Sequence, residues 1–183
     1  MQLWLTFLRD YNGSTYFPER DWDSNSTLHL FTNSAENAKL GCRAILGNHW
    51  VNLKWPEAWE SSKIIREITF LELVPIALAI SIWGNVLKNR KIIFHIDNEA
   101  LVNIINCQTS KSRNAMTLLR PLILALMKSN ITFKAVHIEG AKNNAADALS
   151  RFQWSRFRQE MPGADTEPTS IPTEFLNLLW TVK

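Results

Sequence analysis

Residues 28–55 read LHLFTNSAENAKLGCRAILGNHWVNLKW. Leu28 to Ser34 is a strand-like run and Ala35 to Lys39 a turn, and Leu40 to Leu46 and His49 to Trp55 are two further strands. Gly47-Asn48 supplies hairpin turn residues between the last two, so the three strands form an antiparallel meander. After a loop from Pro56 to Glu67, Thr69-Phe-Leu-Glu72 has capping-box spacing ahead of an apolar run. That pattern predicts a helix reaching about Asn89. Lys91 to Ile96 is a buried strand ending on Asp97-Asn98. Glu99 to Asn106 is a short amphipathic helix with Leu101, Val102, Ile104 and Ile105 inward. A polar loop, Gln108 to Arg113, leads to a second long helix through Met127. Ile131 to Ile138 is the last strand and Asn144 to Arg151 a last short helix. The order β-β-β-α-β-α-α-β-α predicts an α/β fold with a mixed five-stranded sheet, the meander plus two strands, and helices on both faces.

The ends differ in character from this core. Residues 1–27 scatter Trp4, Phe7, Tyr11, Tyr16, Phe17 and Trp22 among Asn, Gly, Ser, Pro and Asp, and read as an irregular lead-in from a preceding region. Residues 152–183 carry Pro162, Gly163, Pro168 and Pro172 and read as a linker or tail, with a short apolar patch from Phe175 to Val182. The domain proper is therefore expected at 28–151.

With 183 residues, 46% of them hydrophobic and 20% charged, the chain can build a full core without disulfide or metal; bulk disorder and fibrous classes are excluded. Its 20 Lys and Arg against 17 Asp and Glu permit a nucleic-acid partner without demanding one. Cys42 and Cys107 form no CxxC pair, which argues against a disulfide scaffold or zinc site and for a reducing interior. Met1 to Asp10 has no secretory pattern, so the expectation is an intracellular chain, cytoplasmic or nuclear, and not secreted. Ile68 to Leu87 is long enough to span a bilayer and carries one charge, Glu72. With Pro75 inside it and no flanking charge asymmetry, it reads as a buried core helix, and no membrane partner is expected. Oligomeric state is left open.

Four positions draw attention: Asn33 in the first strand, Glu72 in the long helix, Asp97 after the fourth strand, and Asp147 in the last helix. Each has a structural explanation. Glu72 fits a capping box, Asp147 complements a helix dipole, Asp97-Asn98 suits a strand-to-helix cap, and Asn33 suits a turn. Together they carry a second reading, because the topology brings the first strand, the fourth strand and the helix start to one sheet edge. Clustered carboxylates there would hold two Mg²⁺ about 3.5–4 Å apart for phosphodiester hydrolysis, since a hard divalent cation needs anionic oxygen ligands.

Four stretches resemble the type 1 ribonuclease H domain of reverse transcriptases: Leu-Phe-Thr-Asn33-Ser-Ala, Thr69-Phe-Leu-Glu72-Leu, Phe-His-Ile-Asp97-Asn98, and His137-Ile-Glu-Gly-Ala-Lys-Asn143-Asn-Ala-Ala-Asp147-Ala-Leu-Ser-Arg151. The last is the most specific, and is similar to the ending of this domain in retrotransposon enzymes. The lead-in Trp4 to Gly13 and the Trp55-Pro-Glu-Ala-Trp59 segment look most like retroelements of the DIRS and Ngaro kind. The acid order, with Glu second on the first helix, separates the pattern from the integrase branch, where Glu comes last. The resemblance implies a ribonuclease H-like fold over residues 28–151. It also implies Mg²⁺ or Mn²⁺ as cofactor, two ions in an intact site, an RNA/DNA hybrid as substrate, and the remaining domains of a reverse transcriptase polyprotein as partners.

One departure matters. The family's first, metal-bridging Asp is Asn33 in this chain. An amide brings no charge, and its NH₂ side repels a cation. At about 1.4 kcal/mol per tenfold, losing several kcal/mol suppresses turnover by thousands, so the expectation is a hybrid-binding fold with little or no cleavage. Glu36 lies in the turn and is a poor replacement; Ala141 stands where cellular members place a helpful His; His137 reads as structural. A hybrid would be held by Lys88, Arg90, Lys91, Lys111, Arg113 and Lys142, with Asn98 and Gln108 for 2′-hydroxyls or bases. The bland alternative for that group is a solvated basic surface. Arg151 to Arg158 interleaves aromatics with arginines, as single-strand binders do and as packed tails do. The alternative reading of the whole chain is a non-catalytic ribonuclease H-like binding or connection module.

Overall fold

The computed structural model describes residues 5, 8, 9, 21–35, 37, 39–137 and 153–182. A one-turn helix α1 (Asn25–Leu28) ends at His29 in the left-handed region, φ 51°, and this reversal launches β1 (Leu30–Ser34). β2 (Gly41–Leu46) and β3 (His49–Lys54) follow, joined by a tight turn in which Gly47 takes φ 59°. The three pair antiparallel in the order β1-β2-β3, as the meander pattern predicts. Their register runs Asn33↔Arg43↔Asn52, and one step along Phe31↔Ile45↔Trp50. Since side chains alternate across a strand, these two rows share one face, and Leu30, Cys42, Ala44, Leu46, Val51 and Leu53 belong to the other.

That second face carries the main core. Helix α2 (Ile68–Trp83) lies on it, buried on nearly every side from Phe70 to Ile80. This is why the run looks membranous in sequence: a helix apolar all round is one packed all round. Among the described residues no helix is long and apolar enough to cross a membrane. Both ends of α2 correct the sequence expectation. Its N-cap is Glu67, with no side-chain cap bond, so Thr69 lies inside the first turn and cannot cap. The Glu67 carboxylate instead accepts from Ser112 Oγ at 3.1 Å and Asn114 Nδ2 at 2.8 Å, a tertiary tie in place of a local one. The helix stops at Trp83, and turns carry the chain to Asn89, whose positive φ of 65° redirects it into the next strand.

β4 (Lys91–Ile96), α3 (Glu99–Cys107), α4 (Arg113–Lys128) and β5 (Thr132–His137) complete the second half. β4 and β5 pair in parallel, which the intervening helices require. The α/β class and all five strands match the sequence reading. In the described residues they fall into a three-stranded antiparallel and a two-stranded parallel ladder. A lead-in residue occupies part of the other edge of β4: Asp23 N–H donates to Lys91 O and Ile93 N–H donates to Asp23 O, both at 2.7 Å. Arg90 Nη1 bonds the Asp23 carboxylate at 3.1 Å.

The tail is not a linker. Helix α5 (Trp154–Glu160) inserts Phe157, fully buried, against Ile45 and Trp50 to make a small second core on the sheet face opposite α2. Trp50 meets both Trp154 and Phe157 edge-on at 5.6 Å. Arg158 donates to the carbonyls of Ala164, Asp165 and Thr166 at 2.8–3.0 Å. The interleaved aromatics and cations at 153–158 thus pack the tail onto its own domain. Asp165 N–H and Thr169 N–H then bond Asn48 O and Trp50 O, so the chain runs alongside β3. Helix α6 (Thr173–Trp180) returns Phe175 and Leu179, with Val182 after it, to the main core. Proline and threonine content reads as linker only until the apolar residues between them find partners.

The two thiols differ in the way the fold dictates. Cys42 is buried, and burial pushes its thiol far up, whereas Cys107 is exposed. A native alkylation at pH 8 is expected to label Cys107 alone, with Cys42 reacting only after denaturant is added; rapid labelling of both native thiols would contradict the packing. Because the folded Cys42 pKa lies above the unfolded one, its contribution is present below the ordinary thiol pKa and is lost as pH rises beyond it.

Candidate functional site

Asn33 sits half-buried near the end of β1, Glu72 half-buried in the second turn of α2, and Asp97 exposed directly after β4. Asp147 lies outside the described residues, as do Lys142, Glu36 and Ala141. Asn33 belongs to the sheet face turned away from the α2 layer, and β1 shares no ladder with β4 among the described residues. Among those residues no three His, Cys, Asp or Glu side chains gather into a group that could hold a metal.

Arg43 stands at the centre of the row that holds Asn33. It is fully buried on the middle strand, directly opposite Asn33 on one side and Asn52 on the other. Directly paired residues place their Cβ atoms about 4.5–5.5 Å apart. Burial lowers the Arg43 guanidinium to about 10, so it remains charged at neutral pH. A two-metal site needs anionic oxygens around its ions, and this row presents two amides and a cation. As placed, the described residues do not fit a pair of divalent ions at Asn33. Sequence reading missed Arg43; a single charge in the otherwise apolar run LGCRAIL was the available signal.

The residues expected to touch nucleic acid fall in separate places. Asn98 uses its side-chain oxygen to cap α3, accepting from Leu101 N–H at 3.1 Å. Gln108, exposed, ends the same helix in the left-handed region at φ 54°. Lys91 is half-buried, its Nζ 5.9 Å from the centre of the Trp22 ring. Lys111 and Arg113, both exposed, come together at the start of α4. There a cleft of about 590 Å³ is bordered by Glu67, Ser112, Arg113, Asn114, Thr117 and Thr181. A neighbouring cleft of about 420 Å³ adds Lys111 and Arg120. Arg120 was also missed in the sequence, although it lies seven residues after Arg113 and so shares its helix face. His137 is exposed at the end of β5.

Residues 82–153 match the model of a family described as reverse transcriptase-like. The matched stretch includes Asp97 and the Asp147 motif and leaves out Asn33 and Glu72. It supports a ribonuclease H-like domain of a reverse-transcriptase-like protein. No curated protein and no solved structure matches the chain.

Proposed function

We propose that this chain carries the ribonuclease H domain of a retroelement reverse transcriptase, and that it engages RNA/DNA hybrid without cleaving it efficiently. In the parent polyprotein, beside the other reverse transcriptase domains, an intact site of this kind would use Mg²⁺ or Mn²⁺ to hydrolyse the RNA strand. The observation that carries the reading is a contrast in the sequence: Glu72, Asp97 and Asp147 lie in stretches that resemble the family's carboxylate motifs, while Asn33 replaces the first of them. The family match over 82–153 supports the domain. The lead-in and the Trp55 to Trp59 segment support placing it with elements of the DIRS and Ngaro kind. A second reading, a non-catalytic binding or connection module, is favoured by the buried cation beside Asn33.

The test compares binding and cleavage of a labelled RNA/DNA hybrid in Mg²⁺ and in Mn²⁺, with a DNA duplex of the same sequence as reference. Preferential, salt-dependent hybrid binding with no cleavage is the expected result. Absence of hybrid binding, or cutting at rates of many per minute, would refute it. Lys111→Ala and Arg113→Ala are each expected to weaken binding to every hybrid sequence alike and to flatten the plot of log affinity against log salt by about one unit of slope. An unchanged slope in both variants would remove this helix start from the interface.

A further inference from the structure

Three observations converge on Arg43. It lies on the central strand in direct register with Asn33, so the two side chains are nearest neighbours across the ladder. It is fully buried, flanked by Asn52 on its other side and by the Phe31, Ile45, Trp50 row along the strands. Its neighbours in register on both sides, Asn33 and Asn52, are amides, which bring no negative charge to the row. Position 33 is where the ribonuclease H resemblance places a bridging carboxylate, and the residue paired with it in register is a buried arginine.

We propose, resting on the ribonuclease H reading above, that Arg43 is a resident cation that excludes divalent metal from the Asn33 row, so that restoring a carboxylate at position 33 alone does not create a metal site. A carboxylate there would meet a planar donor fork before it met an ion, and arginine pairs with carboxylates through two parallel hydrogen bonds. A divalent ion at the same place would face the guanidinium through a low-dielectric interior, where like charges repel strongly. Position 43 therefore decides metal occupancy as much as position 33 does.

The experiment titrates Mn²⁺ into the full chain, read by calorimetry and by the electron paramagnetic resonance of free Mn²⁺, without any nucleic acid. The chain as it stands and Asn33→Asp are compared with the double variants Asn33→Asp with Arg43→Ala and Asn33→Asp with Arg43→Met. The expected result is no saturable site up to about 1 mM in the first two and at least about tenfold tighter Mn²⁺ binding in the doubles. The Met replacement keeps most of the side-chain volume, so its fold is checked by a thermal melt. If both doubles fail to fold, Asn33→Asp decides alone: its melting temperature must be the same with and without Mn²⁺. Mn²⁺ binding by Asn33→Asp equal to that of a double, an Mn²⁺-dependent rise in its melting temperature, or folded doubles that gain no site would each overturn the proposal. Failure of the ribonuclease H reading shows separately, as absence of hybrid binding by the unmodified chain.

Discussion

Phe157→Ala is expected to lower stability by about 3–5 kcal/mol, the cost of removing a fully buried ring and leaving a cavity. That is a large part of a domain's whole stability, typically about 5–15 kcal/mol. The ring fills the small core between α5 and the sheet face of Ile45 and Trp50. Its loss removes an edge-on contact with Trp50 and loosens the segment that Arg158 holds by three carbonyl bonds. Chemical denaturation followed by tryptophan fluorescence would read the change as a lower midpoint. Ser155→Ala, on an exposed position of the same helix, is the control and should move it by less than about 0.5 kcal/mol. A Phe157→Ala chain as stable as its parent would mean that the small core between α5 and the sheet adds nothing to stability.

Gly41→Ala is the second substitution expected to act strongly, at about 3 kcal/mol, the upper end of what overpacking usually costs. A Cβ at Gly41 would stand 1.9 Å from Leu53 O, 2.8 Å from Leu53 C and 2.9 Å from Lys54 Cα. All three are backbone atoms of the paired strand, so no side chain can turn aside and the β2–β3 ladder must part. The end that parts adjoins Cys42 and Arg43, so weakened protection of the Arg43 amide in hydrogen exchange should accompany the loss. Gly47→Ala offers a contrast. Nothing lies within 4 Å of its added Cβ, but φ is +59°, so it costs about 1–2 kcal/mol through backbone strain alone. If Gly41→Ala proved no more costly than Gly47→Ala, the close strand approach at Gly41 would be wrong.

The parts of the fold legible in the sequence are those governed by neighbours along the chain. Gly47-Asn48 marks its hairpin because the turn needs a positive φ that glycine accepts, and Asn98 marks the start of α3 because its side chain reaches an amide three residues on. The same local logic misled at Thr69 to Glu72, where a capping-box spacing exists but Glu67 begins the helix and bonds to residues 112 and 114. It misled again at the tail, where Phe157 finds its partners, Ile45 and Trp50, more than a hundred positions away.

The candidate site divides in the same way. The expectation of Asn33 as a weak metal ligand, and of Glu72, Asp97 and Asp147 as carboxylate positions, comes from residue type and from the resemblance, because charge and donor chemistry belong to the side chain itself. The sequence also determines the α/β order, since hydrophobic periodicity and turn residues act within a few positions of one another. Only the tertiary structure decides that Arg43 is buried opposite Asn33, that Lys111, Arg113 and Arg120 share a cleft, and that the tail belongs to the core. Those facts depend on register and on which face is covered, and a strand shifted by one residue would turn Arg43 to the other side of the sheet.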